Sequence, residues 1–396
     1  MLLYFLWLSL VKGIGPVAVK RLLAHFSGPE EIYEAELEDL LRVEGIGKVA
    51  ATSLVEARSL REASTILERC QKKNIRILTC LDEDYPDSLH DIPRAPALLY
   101  YSGIAPKKGG VALVGSRKCS AYGKEVACEA ASYLARHNVP VLSGMAAGID
   151  GYAHTACLKA GGYTIAFLGG GVDTVYPSEH RELKEKIAAS GTLLSFFPPG
   201  TPAHPSRFPS RNFLMAAWAD TILLVEAGKK SGALLIAEYG MKLSKKVMAV
   251  PGSIYSGQSV GTNALLGRGA EVYCSPEQLY CSGLLTYGDD KSGFSSANAR
   301  AKKTEIHGQP EDVTPQKSLM SRTKKLQPDA GKRSASESDI LQLLETSPMS
   351  MDQLALHFRD NRSSFFEALT MLELDGLLKR LPGGIISLTR QIDEKI

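Results

Sequence analysis

Residues 111–273 alternate short apolar runs with loops that are rich in glycine or basic residues. The clearest examples are VALVGSR (111–117), VPVLSGMAAGID (139–150), TIAFLGGG (164–171), TILLVEAGKKSGA (221–233) and VMAVPGS (247–253). A helical pattern follows each loop, so the segment predicts about six strand–helix units. We therefore expect an α/β fold with a doubly wound, mainly parallel sheet of Rossmann type.

The loops of such a sheet gather at one edge, because the carboxyl ends of parallel strands lie side by side. Backbone N–H groups and helix N-termini collect there and attract anions. The sequence thus predicts a phosphate-binding face. Its candidate residues are Gly115, Ser116, Arg117, Lys118, Ser143, Gly144, Gly148, Gly169, Gly170, Lys229, Lys230, Ser231, Gly232, Gly261, Thr262 and Asn263.

Arg117 is the strongest single candidate because it follows the end of a predicted strand. Its guanidinium can form a bidentate contact with a phosphate that the loop N–H groups also bind. The alternative is a structural Arg117 that pairs with Asp150 or another loop carboxylate. For the residues at 231–232 and 261–263, anion contact and simple turn chemistry fit the pattern equally well.

A proline-stiffened loop, FFPPGTPAHPSRFPSRN (196–212), interleaves aromatic and basic side chains. Unpaired bases need this combination, because stacking on a ring contributes roughly 1 to 3 kcal/mol per base without requiring a sequence. Phe208 is the best stacking candidate, and Arg211 and Asn212 are candidates for polar contacts.

Asp150 and His154 stand four residues apart and would share a helical face, as an acid–base pair requires. We prefer a structural interpretation, in which Asp150 is a helix N-cap and His154 packs one turn later. The sequence shows no convincing nucleophile–base or metal-ligand pattern. A protein without catalysis, cofactor or metal is therefore expected.

The net charge of +3 is distributed unevenly: −3 over residues 1–106, +6 over 107–280, +4 over 281–335 and −4 over 336–396. A basic centre favours a polyanionic partner.

The seven cysteines show no CxxC spacing, which is typical of a reducing cytoplasm. The opening run MLLYFLWLSLV is about half the roughly 20 residues of a membrane span, so we expect a buried first helix and no membrane association.

Residues 1–71 contain two similar phrases, KGIGPVAVKRLLAHF (12–26) and VEGIGKVAATSLVEA (44–58). Both predict helix, tight glycine turn, helix, and together they predict a helix-hairpin-helix domain. Acidic residues crowd the connection at 30–39. This charge favours a structural or protein-contact role over direct DNA contact.

The Rossmann-like domain is predicted over 72–282, with 72–106 as a proline-containing lead-in segment. Residues 283–335 have the composition of a flexible basic linker. Residues 336–396 predict three helices and a hairpin, the outline of a winged helix. Its expected recognition helix carries Glu367, Glu373 and Asp375, which phosphates would repel, so a protein partner is favoured over a DNA groove.

Several of these motifs together closely resemble the DprA/Smf family of DNA-processing proteins. They are GSRKCSAYG (115–123), SGMAAGIDGYAH (143–154), YTIAFLGGGVDTVYPSEHREL (163–183), FPPGTPAHPSRFPSRN (197–212), SGALLIAEYG (231–240) and VPGSIYSGQSVGTNALLGRGA (250–270), preceded by a matching lead-in at 80–103. The resemblance implies a homodimer that binds and protects single-stranded DNA. It also implies that the protein helps to load the RecA recombinase during natural transformation, without catalysis.

Two positions depart from the family pattern, which commonly has arginine where this chain has Ala147 and Phe213. The loss of two cations would weaken phosphate contact. Either Lys229 and Lys230 compensate, or DNA binding is weaker here than the family pattern implies.

An enzyme is the main alternative, namely a nucleotide-processing N-glycosidase similar to the lysine-decarboxylase-like phosphoribohydrolases. Those enzymes carry a PGGxGTxxE signature, whereas KKSGALLIAE (229–238) lacks its second glycine and its threonine. A second alternative is a regulator that binds duplex DNA through the winged helix, and the acidity of residues 336–396 argues against it.

Overall fold

The computed structural model describes residues 1–279 and 335–358 together with parts of 365–389, namely 365, 368–369, 371–373, 375, 377–381 and 385–389. The predicted linker at 283–335 lies outside the described residues except for its last position.

Six helices form the N-terminal domain: α1 (Leu2–Leu10), α2 (Pro16–His25), α3 (Pro29–Glu34), α4 (Leu37–Leu41), α5 (Lys48–Glu56) and α6 (Arg61–Lys72). Helix α1 is the apolar opening run, and its residues 5–8 are all buried. Trp7 of this helix donates its indole N–H to the Ala57 carbonyl at 2.7 Å. The prediction of a buried first helix is confirmed.

Both predicted glycine turns are present, between α1 and α2 and between α4 and α5. Gly13 and Gly45 adopt φ values of 82° and 76°, which residues with a Cβ atom rarely adopt. Pro16 then opens α2 at a position where no backbone N–H is needed. The helix-hairpin-helix prediction is confirmed.

The central sheet contains nine strands within the fully described residues 1–279, in the order β1-β2-β6-β5-β4-β3-β7-β8-β9. The strands are β1 (Arg76–Thr79), β2 (Leu98–Gly103), β3 (Val111–Val114), β4 (Val141–Ser143), β5 (Thr164–Phe167), β6 (Thr192–Ser195), β7 (Thr221–Leu224), β8 (Lys246–Ala249) and β9 (Glu271–Val272). Strands β3 to β9 pair in parallel, whereas β2 is antiparallel to both of its neighbours. The lead-in segment thus supplies the two strands at one end of the sheet.

Helices connect these strands: α7 (Asp87–His90), α8 (Ala121–Arg136), α9 (Ile149–Lys159), α10 (Arg181–Ser190), α11 (Phe208–Trp218), α12 (Gly232–Lys242) and α13 (Val260–Leu266). One apolar core joins Ala112 of β3 with Trp218 of α11. A second joins Leu193 of β6 with Ile187 of α10 and the helical domain. The sheet is therefore covered on both faces, which confirms the doubly wound α/β prediction, and the strand order reverses between β3 and β7.

The C-terminal domain comprises α14 (Ala335–Thr346), β10 (Met349–Ser350), α15 (Met351–His357), β11 (Leu378–Leu381) and β12 (Ile385–Leu388). Its three strands are antiparallel in the order β10-β12-β11, as expected of a winged helix. Within the predicted recognition segment, Asp375 forms an ion pair with Lys242 of α12 at 3.3 Å, and Glu367 lies outside the described residues. In the part of the chain that the structure describes, none of the helices has the length and apolar character needed to cross a bilayer.

Candidate nucleic-acid interface

A cleft opens at the carboxyl edge of the sheet, where the loops after β3, β4 and β5 meet the start of α11. It is lined by Arg117, Gly144, Met145, Ala146, Leu168, Gly169, Gly170, Thr174, Tyr176, Ala203, Phe208 and Arg211. The structure thus brings together Arg117, Phe208 and Arg211 with three of the predicted loop glycines. Sequence reasoning missed Tyr176, although an aromatic residue shortly after the GGG loop was an available signal.

An aromatic and cationic cluster occupies the mouth of the cleft. The Phe208 and Tyr176 ring centroids lie 5.4 Å apart, and Tyr176 is 45% exposed. The guanidinium carbons of Arg117 and Arg211 lie 5.7 and 5.3 Å from the Phe208 ring centroid. Arg117 is exposed, so the cluster presents a ring pair and a cation to solvent.

Gly169 allows this arrangement, because the Phe208 ring lies directly against its backbone. A Cβ atom on Gly169 would stand 2.7 Å from Phe208 Cε1. The glycine of the β5 loop therefore serves close packing of the ring.

Arg211 lies beneath the cluster and is only 5% exposed. Its Nη1 atom donates to the Phe167 carbonyl at 2.8 Å and also to the Gly144 carbonyl. Burial lowers the pKa of Arg211 to about 10, although Asp150 nearby opposes this change, so the side chain is charged at neutral pH. Arg211 braces the loops after β4 and β5 and contributes only part of its surface to the cleft.

Asp150 is not the N-cap that we expected from the sequence, because Gly148 holds that position and Asp150 lies inside the first turn of α9. Its carboxylate accepts hydrogen bonds from the backbone N–H groups of Gly144 (3.1 Å) and Ala146 (3.3 Å). Burial raises the pKa of Asp150, while Arg211 acts in the opposite direction. Asp150 therefore organises the β4–α9 loop, and its electrostatic partner is Arg211, whereas Arg117 is exposed.

His154 is fully buried. The Thr164 hydroxyl donates to the Val141 carbonyl at 2.7 Å, so its oxygen accepts the Nδ1–H of His154, also at 2.7 Å. Burial lowers the pKa of His154 to about 3, which makes the ring neutral in the folded protein. Asp150 and His154 are both held in the core, which favours the structural interpretation of this pair.

Glu226, which sequence reasoning missed, occupies the N-terminus of α8. It is 3% exposed and accepts hydrogen bonds from both the backbone N–H of Ser120 (2.8 Å) and the Ser120 hydroxyl. In dinucleotide-binding Rossmann proteins a phosphate takes the equivalent position. A buried internal carboxylate therefore lies at the N-terminus of α8, where the sequence pattern suggested room for an anion.

Several other predicted residues hold the loops in place. Ser231 caps α12 by accepting from the Ala233 N–H at 3.3 Å, and buried Asn212 donates to the Gly232 carbonyl at 3.4 Å. The Thr262 hydroxyl donates to the Ser259 carbonyl at 3.1 Å. These contacts favour turn chemistry over anion contact at 231–232 and at 262.

The remaining predicted residues divide by exposure. Buried Ser143 donates to the Leu113 carbonyl at 2.6 Å, and Asn263 exchanges hydrogen bonds with the Gly252 backbone at 2.9 and 3.1 Å. Added Cβ atoms on Gly115 and Gly261 would stand 2.7 Å from Ile149 and from the Ala227 carbonyl, respectively. Ser116 is partly exposed and accepts from the Lys118 N–H at 3.1 Å. Lys118, Lys229 and Lys230 are exposed.

The two positions that depart from the family pattern offer no cation to the cleft. Ala147 lies in the β4–α9 loop, and Phe213 packs edge-on against Tyr239 of α12, with ring centroids 5.4 Å apart. Lys229 and Lys230 lie in the loop after β7, beside the Arg117 loop in strand order. Compensation by these lysines stays a prediction.

Gly148 fixes the position of the Arg117 loop. Its φ is +77°, and an added Cβ would stand 2.3 Å from the Ser116 carbonyl oxygen and 2.7 Å from the Arg117 carbonyl carbon. We expect Gly148→Ala to cost about 1 to 3 kcal/mol of folding free energy through backbone strain. It should also weaken the single-stranded DNA binding that the family resemblance implies, because the Arg117 loop must move. Urea unfolding and fluorescence anisotropy measure the two effects.

Gly161→Ala is the matched control. Gly161 has a similar φ of +75°, but an added Cβ would meet nothing within 4 Å. This variant should lose stability from strain alone and bind DNA like the wild type. Equal DNA binding by the two variants would show that Gly148 does not position Arg117.

The seven parallel strands and the cleft beside the switch point define a Rossmann-type α/β protein with an aromatic and cationic site at the carboxyl edge of its sheet. Residues 76–282 match the model of the DNA recombination-mediator protein A family. The chain belongs to this family, DprA/Smf. Residues 5–59 match a SAM-like helix-hairpin-helix tandem, and residues 324–384 match the DprA winged helix domain.

Known relatives are similar over half of the chain or more. Protein Smf of Synechocystis sp. is 33% identical over 399 residues, covering 96% of this chain and 97% of that protein. DNA processing protein DprA of Streptococcus pneumoniae is 37% identical over 201 residues, covering 50% of this chain and 71% of that protein. The crystal structure of the S. pneumoniae protein superposes with a TM-score of 0.61 and 30% identity, over 70% of this chain and 95% of that one.

Proposed function

We propose that this protein binds single-stranded DNA across the carboxyl-edge cleft, without altering it chemically. The observation that carries the proposal is the exposed Arg117 set beside the Phe208–Tyr176 ring pair. A ring pair accepts any unpaired base by stacking, and a guanidinium binds the adjacent phosphate in a bidentate manner.

The same geometry supports a preference for single strands over duplexes as part of the proposal. Bases of a duplex are already stacked and paired, so the rings gain nothing from them, whereas the phosphate contact is common to both forms. The net charge of +6 on residues 107–280 supports attraction of either polyanion. We therefore expect binding to both, with the single strand bound more tightly.

A titration by fluorescence anisotropy tests this proposal, using an oligothymidine and a duplex of equal length at a low and a moderate salt concentration. The single strand should bind more tightly at both, and both affinities should fall as salt rises. Binding that is absent, or equal for the two forms, would overturn the proposal.

Membership of the family extends the proposal. We infer a cytoplasmic homodimer that protects single-stranded DNA and helps to load RecA during natural transformation. The predicted boundaries, at about residues 71, 282 and 335, divide the chain into the domains that would share these tasks. RecA filament assembly on single-stranded DNA, followed with and without this protein, tests the loading step. An unchanged assembly rate would contradict this part of the proposal.

The enzymatic alternative finds less support in the geometry. Residues 229–238 run from the β7–α12 loop into α12, where Glu238 forms an ion pair with Arg268 at 3.1 Å. They lack the second glycine and the threonine of the PGGxGTxxE signature. Incubation with nucleoside monophosphates should release no free base, and release of base would favour the N-glycosidase instead.

A further inference from the structure

The recognition segment of the winged helix, which lies between α15 and β11, has two buried faces. Its described residues between 365 and 373 are helical. Phe365, Leu369 and Leu372 follow helical spacing and are buried in the core of the winged helix itself. Met371 lies outside that core. It is 8% exposed and packs with the apolar core of the Rossmann-like domain that includes α11 and α12.

Lys242, the last residue of α12, contacts this second face. Its ammonium forms the ion pair with Asp375 Oδ1 at 3.3 Å and lies 3.9 Å from Met371 Sδ. The Asp375 N–H donates to the Met371 carbonyl at 2.8 Å, so a helical turn joins the two residues and places their side chains on one side. One lysine of the Rossmann-like domain therefore contacts both residues of this face.

Opposite charges meet at this contact. Residues 336–396 carry a net charge of −4, and residues 107–280 carry +6. Arg94 of the lead-in segment is partly buried. Burial lowers its pKa, while Glu373 and Asp375 act in the opposite direction. The acidic segment and the domain that it contacts are thus complementary in charge.

Two kinds of interaction hold the contact together. The Lys242 and Asp375 side chains are 46% and 48% exposed, so salt screens their attraction. Glu238, the acidic residue of α12, pairs with Arg268 at 3.1 Å and does not compete with Asp375 for Lys242. Buried Met371 adds an apolar contact that salt does not screen.

We propose that the recognition segment is a docking surface for α12 of the same chain, so that the partner of this acidic segment is the Rossmann-like domain and not a DNA groove. Because Met371 is buried against the domain, the segment must leave α12 before it can enter a groove. Helix α12 begins at Gly232, at the carboxyl edge of the sheet, and Lys242 lies about 15 Å further along it. Docking is therefore independent of single-stranded DNA binding in the cleft.

Carbodiimide crosslinking of the full chain tests the contact, because this reagent joins a carboxylate only to an amine that lies against it. The reagent activates the Asp375 carboxylate, the Lys242 amine displaces the activating group as a urea, and an amide forms. Mass spectrometry of the peptides should recover this crosslink. Isotope-labelled and unlabelled protein are equilibrated together before the reaction. Peptide pairs of mixed label would place the contact between two copies and overturn the proposal.

A matched pair of variants measures what Met371 contributes. Met371→Arg places a charge in the buried contact beside Lys242 and should slow the Lys242–Asp375 crosslink by at least about tenfold. Leu356→Arg makes the same change at an exposed leucine of α15 and should crosslink like the wild type. The radius of gyration from small-angle X-ray scattering should be larger for Met371→Arg than for Leu356→Arg. Equal crosslinking rates would contradict docking through Met371.

Exchange of the two charges decides the outcome if Met371→Arg does not fold. Lys242→Glu and Asp375→Lys each place like charges opposite one another, and neither single variant can form the crosslink. The double variant Lys242→Glu/Asp375→Lys restores the attraction with its polarity reversed. It should crosslink between the same two positions at a rate close to that of the wild type. Absence of this crosslink in the folded double variant would overturn the proposal.

Discussion

Replacement of Arg117 with alanine should weaken single-stranded DNA binding by roughly 10- to 150-fold, which corresponds to the loss of about 1.5 to 3 kcal/mol from one charge-assisted contact. Arg117 is exposed, and its contact with the fold is the face of Phe208 at 5.7 Å. Its removal therefore takes away the proposed phosphate contact and leaves no buried group without a partner. Unfolding by urea should be nearly unchanged, and the salt slope should fall by about 0.7.

Arg136→Ala is the control for this experiment. Arg136 is an exposed arginine at the far end of α8, the helix that follows the Arg117 loop. About 24 Å separates the two ends of a 16-residue helix, so the control removes the same charge at a distance from the cleft. If both variants lower affinity by the same small factor, Arg117 acts only through overall charge.

Much of the fold could be predicted because its signals are local. The apolar runs that end in glycine loops predicted the parallel strands, and the repeated Gly-Ile-Gly turns predicted the two hairpins, whose Gly13 and Gly45 adopt positive φ. Each signal spans no more than about 15 residues and needs no knowledge of distant contacts. The order of strands within the sheet could not be obtained in this way.

The site was harder to predict because its geometry depends on which loops meet. Arg211 and Arg117 look alike in the sequence, yet one braces two backbone carbonyls in the core and the other faces solvent. Glu226 and Ser120 are 106 residues apart in the chain, so no local pattern showed that a carboxylate fills the N-terminus of α8. Residue type indicated the chemistry at the carboxyl edge of the sheet. Tertiary packing decided which of these groups are exposed to a ligand and which are buried in contacts with the protein.

Acidification below pH 6.5 should destabilise the protein through His154. Burial lowers the pKa of this imidazole from 6.5 to about 3. Between these values the unfolded chain binds a proton on His154 that the folded protein does not, so the free energy of unfolding falls as the pH falls. The loss of stability from His154 should reach about 2 kcal/mol at pH 5, because pH 5 lies about 1.5 units below the pKa of the imidazole in the unfolded chain.

Comparison with His154→Asn isolates this contribution, because asparagine can donate to Thr164 but does not titrate in this range. Asp150, whose pKa is raised, gains stability on acidification in both proteins and cancels from the comparison. Urea unfolding at pH 7.5 and pH 5 should show a drop about 2 kcal/mol larger for the wild type than for the variant. His25→Asn, which replaces an exposed histidine, should follow the wild type. The prediction would be contradicted if the free energy of unfolding fell equally for the wild type and for His154→Asn. His154 would then be protonated in the folded protein, and its charge would need a partner other than Thr164.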